Sequence, residues 1–225
     1  MEKLHTRKFD LISQEKERLN EAHPYINSSV ITLSLGAAAM KFARVERVPR
    51  YEDSEQENDA EHSFMLALVA TELADALYHD RLNPSLVSQY AIVHDLIELK
   101  TGDVATLTLN TQELADKEKN EHDALESLLR ELPPYTARLL RAYEAQSDPE
   151  ARFVRMVDKL LPLVVDIIGD GERVMREDFD ITTTEQLQRC HVLLHRRIAE
   201  SFPEFPELVE DHALLCELFE VTFQP

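Results

Sequence analysis

With 225 residues and 25.9 kDa, the chain has room for one large domain, and no composition shift marks an internal linker. Its 43 acidic against 24 basic residues give a formal charge of −19, which repels nucleic acid polymers and anionic membrane surfaces. An anionic substrate would therefore need a local positive site. Only 4 glycines accompany 44% hydrophobic residues, and with Ala, Leu, Glu and Arg common the expected fold class is all-α. Cys190 and Cys216 lack metal-ligand spacing and suit a compartment that keeps thiols reduced. The first twenty residues contain no apolar signal core and no later segment approaches a membrane span, so a cytoplasmic protein is expected.

Residues 1–30 read as a polar N-terminal extension and 31–225 as the folded domain. A helix is expected from Ser28 to before Pro49, because proline disfavours helix at the residue preceding it. PRYEDSEQENDA then reads as a connecting loop. Asn58 and Glu61 form a capping-box-like start for a helix that ends near Asn83 and Pro84. The next helix is expected from Leu86 to Thr101, stopping at Gly102. VATLTLNT alternates like a short strand, and a charged helix follows from about Gln112 to Glu131, broken by Pro133 and Pro134. A further helix starts in YTARLLRAYEAQ, a long amphipathic one in DPEARFVRMVDKLLPLVVDIIGDGE, and two more on either side of Pro203 and Pro206.

Chemistry concentrates at a few positions in this helical frame. His62 shares a face with Met65, Leu66, Val69 and Leu73, on the core side of its helix. A lone histidine there is ordinarily a packed core residue. In AIVHDLIELKTGD, however, His94, Asp95 and Glu98 interrupt an apolar run. Burying an unpaired polar group costs about 2–7 kcal/mol, so something must compensate them. A divalent ion would, and imidazole with carboxylate suits Mn, Fe, Co, Ni or Zn and leaves Mg possible. The alternative is a buried His–Asp hydrogen bond without metal. Asp158 shares a face with Val154, Leu161 and Val165 and so points an acid into the core. Pro162 denies the Asp158 carbonyl its i+4 donor, and a kink is expected there. Two other groupings read as bland. His79 and Asp80 repeat the dipeptide in a polar setting beside a helix end, and His191 and His195 are an i, i+4 pair on a solvated or packed face. No Gly-rich phosphate loop, H-E-x-x-H or nucleophile elbow is present.

The order His62, His94-Asp95, Asp158, together with EHS at 61–63, HDLIELKTGD at 94–103 and YEAQSDPEARFVRMVDKL at 143–160, resembles the HD-domain metal-dependent phosphohydrolases. Within them it is most similar to the 5′-deoxynucleotidase branch, over roughly Leu33 to Ile168. The resemblance implies an all-α HD-domain helical bundle over 31–225, C-terminal helices included, and a homodimer. It implies one divalent metal ion (Mn, Co, Mg, Fe, Ni or Zn) held by His62, His94, Asp95 and Asp158. Glu98 and Asp103 would be the catalytic acids, serving the water and its network. RVPRY resembles the phosphate-binding segment, which implies Arg50 on the phosphate and Tyr51 near the nucleoside. The expected reaction is hydrolysis of a deoxyribonucleoside 5′-monophosphate to deoxynucleoside and phosphate. A divalent ion fits it, since it lowers the pKa of bound water from 15.7 toward about 7. The alternatives are a triphosphohydrolase or phosphodiesterase on the same scaffold, or a nucleotide-sensing protein without turnover.

Overall fold

The computed structural model describes residues 28–102 and 124–223, and their regular structure is almost entirely helical. In chain order the elements are α1 (Ser28–Phe42), β1 (Glu46–Arg50), β2 (Gln56–Asn58), α2 (Asp59–Tyr78), α3 (Pro84–Val93) and α4 (Glu98–Thr101). After them come α5 (Pro134–Ala145), α6 (Pro149–Asp158), α7 (Leu161–Ile168), α8 (Gly171–Phe179), α9 (Thr184–Ser201) and α10 (Pro206–Thr222). Residues 124–131 are also helical. The strand expected at 104–111 and the start of the helix expected at Gln112 lie outside the described residues.

Local chemistry accounts for most helix boundaries. Asn58 caps α2 with a complete capping box: its side chain accepts from the Ala60 and Glu61 amides while Glu61 reaches back to the Asn58 amide. Asn83 and Asp148 cap α3 and α6, each followed by a proline whose missing N–H costs nothing in a first turn. Gly102 ends α4 with φ of 71°, the region that favours glycine.

Three expectations change. The first helix stops at Phe42, and the chain then forms an antiparallel hairpin, β1 with β2, where a loop was expected. The helix expected over Leu86 to Thr101 breaks after Val93. The long helix after Asp148 is three helices, and its first break falls at the expected place: α6 ends at Asp158 and α7 restarts at Leu161 with Pro162 in its first turn.

The main core lies where α2 and α3 pack on each other and on α5 and α6, with Leu66, Ala70, Val87, Phe153, Met156 and Leu161 buried in it. A second cluster joins α7, α8, α9 and α10 through Leu163, Val174, Leu187 and Phe219. The hairpin docks on α7 and α8. A Cβ at Gly169 would stand 2.1 Å from the Arg50 carbonyl oxygen, and that same oxygen accepts the Asp170 amide at 3.0 Å. Glycine there allows the backbone approach that seats β1.

Between α9 and α10, His212 joins the His191 and His195 pair in a cluster that spacing along one helix does not reveal. His212 is buried, stacks on His195 with ring centroids 5.6 Å apart, and lies 3.6 Å from the Cys216 sulfur through Nδ1. His191 is packed, as one of its two readings had it, and bonds Glu220 at 2.7 Å. Burial, helped by His195 and His191, pushes the His212 imidazole down from 6.5 to about 4. Between those values the unfolded chain binds a proton that the folded one does not. Stability is therefore expected to fall as the pH drops from 6.5 toward 4, by at most about 3 kcal/mol from this group. Urea melts of wild type and His212→Leu across that range check it, since the variant should lose this part of the slope.

Candidate metal centre

His62 enters the centre from the first turn of α2, held by the capping box just before it, and Asp158 enters from the last residue of α6. The remaining residues come from the segment between α3 and α4. Past Val93 the backbone tightens into i→i+3 bonds, Leu96 to Val93 and Glu98 to Asp95, at 3.1 and 2.9 Å. A three-residue turn eclipses side chains three apart, so Asp95 and Glu98 stack on one side, where an α-helix would rotate them by about 60°.

All four expected ligands meet. One nitrogen each from His62 and His94 and one oxygen each from Asp95 and Asp158 lie within 4.8 Å of one another. His62 Nε2 is 3.0 Å from Asp158 Oδ1, and His94 Nε2 is 2.8 Å from Asp95 Oδ2 and 3.7 Å from Asp158 Oδ1. Backbone and acid fix the ring orientations. His94 Nδ1–H donates to the Ala91 carbonyl at 2.9 Å, leaving Nε2 as the lone-pair nitrogen, and Glu57 Oε2 lies 3.5 Å from His62 Nδ1. His94 Nε2 is fully buried yet has no hydrogen-bond partner of good geometry. A two-nitrogen, two-oxygen set with such an atom fits a borderline divalent ion.

The electrostatics match. Burial alone would lower the His94 pKa, but Asp95 and Asp158 reverse the sign and raise it to about 10. Burial likewise opposes charge on Asp158, yet Lys159, His62 and His94 together hold its carboxyl well below the usual range. His94 likewise holds the Asp95 carboxyl well below its usual range, and the negative field that favours a proton on the imidazoles is the one a divalent ion would answer by taking the proton's place on Nε2.

A second acidic group adjoins the first: Asp59, Asp95 and Glu98 also bring their oxygens within 4.8 Å, with Asp95 common to both. Arg47 sits against it. Its Nη1 bonds Asp59 Oδ1 at 3.1 Å and Asp95 Oδ2 at 2.9 Å, and its Nε lies 3.3 Å from Glu57. Neither Arg47 nor Asp59 was picked out from the sequence. The signal that would have found Arg47 is strand alternation, since β1 buries Arg47 and Pro49 and leaves Glu46, Val48 and Arg50 less covered.

The other expected residues are placed differently. Arg50 bonds Glu177 at 3.1 Å and Asp178 at 2.9 Å on α8, so the structure engages it away from the four ligands. Tyr51 donates to Glu61 Oε2 at 3.2 Å. Asp103 lies outside the described residues. Lys159, unforeseen, puts its half-exposed ammonium 2.7 Å from Asp158 Oδ2. His79 and Asp80 pair with each other at the end of α2, 64% and 87% exposed, as their polar setting predicts.

The family model for the HD domain matches residues 39–201. The 5′-deoxynucleotidase HDDC2 of Mus musculus is 31% identical over 137 residues, which cover 55% of this chain and 66% of that protein. A 5′-deoxynucleotidase of Erwinia tasmaniensis is 32% identical over 125 residues, covering 52% and 63%. The chain thus aligns with less than two-thirds of the length of these relatives. In three dimensions it is similar to a protein of Magnetospirillum magnetotacticum described as a predicted metal-dependent phosphohydrolase, with a TM-score of 0.57 and 26% identity over 82% of this chain and 95% of that one. The PH0347 protein of Pyrococcus horikoshii gives a TM-score of 0.51 and 25% identity over 79% and 98%. The matched stretch runs through His62, His94, Asp95 and Asp158, and on that ground the chain belongs to the HD domain family.

Proposed function

We propose that the protein is a metal-dependent phosphohydrolase that converts deoxyribonucleoside 5′-monophosphates to deoxynucleoside and phosphate. The observation that carries the reading is the meeting of four ligand atoms within 4.8 Å, one of them the orphaned His94 Nε2, next to the carboxyl group of Glu98. The 5′-deoxynucleotidase relatives support the substrate class. When bound, a divalent ion supplies Lewis acidity and a lowered water pKa. The protein's own part is to hold and move protons and charge. His62, His94, Asp95 and Asp158 hold the ion, and Glu98, stacked beside Asp95, accepts the proton released as water attacks phosphorus in line. Lys159 is the cation at the cluster best exposed to meet a phosphate oxygen, whereas Arg50 would first have to leave Glu177 and Asp178. Tyr51 and Asp103 belong to the same proposal, on the nucleoside and the water network. Cytoplasmic residence is supported by the free thiols of Cys190 and Cys216. A homodimer is supported by exposed Val192, Leu193, Leu214, Leu218 and Val221 on the last two helices. Among the described residues no helix is long and apolar enough to cross a membrane.

Phosphate count tests the reading most directly. One half-exposed ammonium with a divalent ion matches about the charge of one phosphate, and no Gly-rich nest is available for two more. Phosphate-release kinetics on dAMP and dATP with Mn, Co and Mg ions should show the higher kcat/KM for dAMP. A preference for dATP with triphosphate as product would establish the triphosphohydrolase alternative instead.

A further inference from the structure

The fold gathers a second set of metal-ligating side chains that the proposed reaction does not use. His191 and His195 stand one turn apart on α9, and His212, Cys216 and Glu220 follow at the same four-residue interval on α10. Each interval keeps its residues on one helical face, and the two helices pack with those faces toward each other. Three details go beyond core packing. The Cys216 sulfur lies 3.6 Å from His212 Nδ1. Across a tetrahedral zinc ion, with Zn–N of about 2.0–2.1 Å and Zn–S of about 2.3 Å, two such ligand atoms are also about 3.6 Å apart. The His195 and His212 ring centroids are separated by 5.6 Å, against 5.3 Å for His62 and His94 in the first centre. Finally, His195 Nδ1 is buried without a hydrogen-bond partner, as His94 Nε2 is.

We propose that His195, His212 and Cys216 form a zinc site that ties α9 to α10, separate from the phosphohydrolase centre. The donor set differs in kind from the first. Two imidazoles and a thiolate suit a borderline-to-soft ion, whereas two imidazoles with two carboxylates admit harder ones. Burial, helped by His195 and His191, keeps the His212 imidazole neutral at pH 7, so a ring lone pair is free for a metal. Burial also pushes the Cys216 thiol up to about 12, with Glu220 and Glu217 adding to it, so that without metal it stays protonated and inert. A coordinating thiol is deprotonated outright, its proton passing to solvent. Glu220, one turn past Cys216, bonds His191 Nδ1 at 2.7 Å, and its carboxylate with the thiolate matches the two charges of the ion. The site belongs to the second core cluster, beside Leu187 and Phe219, while the first centre is built on α2, α6 and the segment between α3 and α4.

Cobalt(II) reports on the thiolate directly, because sulfur-to-cobalt charge transfer absorbs in the near ultraviolet and the first centre contains no cysteine. Full-length wild type, Asp158→Ala, Cys190→Ser, Cys216→Ser and His195→Gln, freed of metal by chelation, would be titrated with Co(II) and then with Zn(II). The expected result is a charge-transfer band in wild type, Asp158→Ala and Cys190→Ser that saturates at about one equivalent of thiolate-bound cobalt and vanishes when zinc displaces it. Cys216→Ser should lose the band, and His195→Gln should weaken cobalt binding at this site by more than roughly 10-fold. Zinc should also raise the melting temperature of Asp158→Ala but not that of Asp158→Ala/Cys216→Ser. The chain has only these two cysteines, so no band in wild type, or a band lost in Cys190→Ser, overturns the inference without any need for Cys216→Ser to fold. An unchanged band titration in His195→Gln, or no stabilisation of Asp158→Ala by zinc, overturns it as well.

Discussion

Asp158→Ala is expected to yield a folded, helical protein that retains no divalent ion at the phosphohydrolase centre and releases no phosphate from deoxynucleoside monophosphates. The reason is the position of one carboxylate. Its Oδ1 faces both imidazoles, 3.0 Å from His62 and 3.7 Å from His94, while Oδ2 anchors Lys159. Truncation removes an oxygen donor and the charge that makes the cluster attract an ion. The loss should exceed the roughly 10- to 100-fold drop in metal affinity seen when only a supporting group around a metal is removed. Helix content should survive, because Asp158 is the last residue of α6 and the apolar faces of α6 and α7 remain. Elemental analysis with far-ultraviolet circular dichroism and a phosphate-release assay checks all three parts. Wild-type metal content in the variant would overturn the ligand assignment.

Glu98→Gln should separate the chemistry from the ion. The amide keeps the volume and polarity of a buried side chain but cannot accept a proton, so metal content should stay at the wild-type level. Turnover should fall by roughly 10²- to 10⁴-fold, the usual worth of general acid–base help, or about 3–5 kcal/mol on the barrier. KM should change little, since Glu98 is buried and its assigned task is the water's proton rather than a substrate group. Near-normal kcat would reduce Glu98 to a packing group. The exposed pair His79 and Asp80, changed together to Ala, is the matched control and should alter neither metal content nor turnover.

The four residues that the structure brings together were legible because burial of a charged group is visible in a sequence wherever the surrounding period is clear. His62 stood on an apolar stripe, Asp158 did the same, and Pro162 announced the break that follows it. The conformation of the segment carrying His94 was not legible. Periodicity reads straight through Val93 into a longer helix, whereas the chain turns to three-residue repeats there, with the His94 ring taking up the Ala91 carbonyl at the helix end. No count of apolar positions registers that competition. The hairpin was hidden for a different reason. Glu46 pairs with Asn58 and Arg50 with Gln56, so β1 uses two more residues than β2 over the same span, and neither strand is long enough to show a period. Without the strand, nothing in RVPRY distinguishes the two arginines. With it, Arg47 faces the acids and Arg50 faces α8. His212 was missed because its partners, His195 and His191, belong to another helix.

That irregular pairing makes β1 far less tolerant of a change in length than of a change in composition. Each arginine is committed to its own side of the strand, one to Asp59 and Asp95, the other to Glu177 and Asp178. A slip of one residue turns every side chain to the opposite face. Deleting or inserting a single codon between Glu46 and Arg50 would withdraw the guanidinium from Glu57, Asp59 and Asp95 and present an apolar or unpaired group in its place. Descendants of this gene should therefore accept many point substitutions along the hairpin while purging frame-preserving insertions and deletions within these five positions.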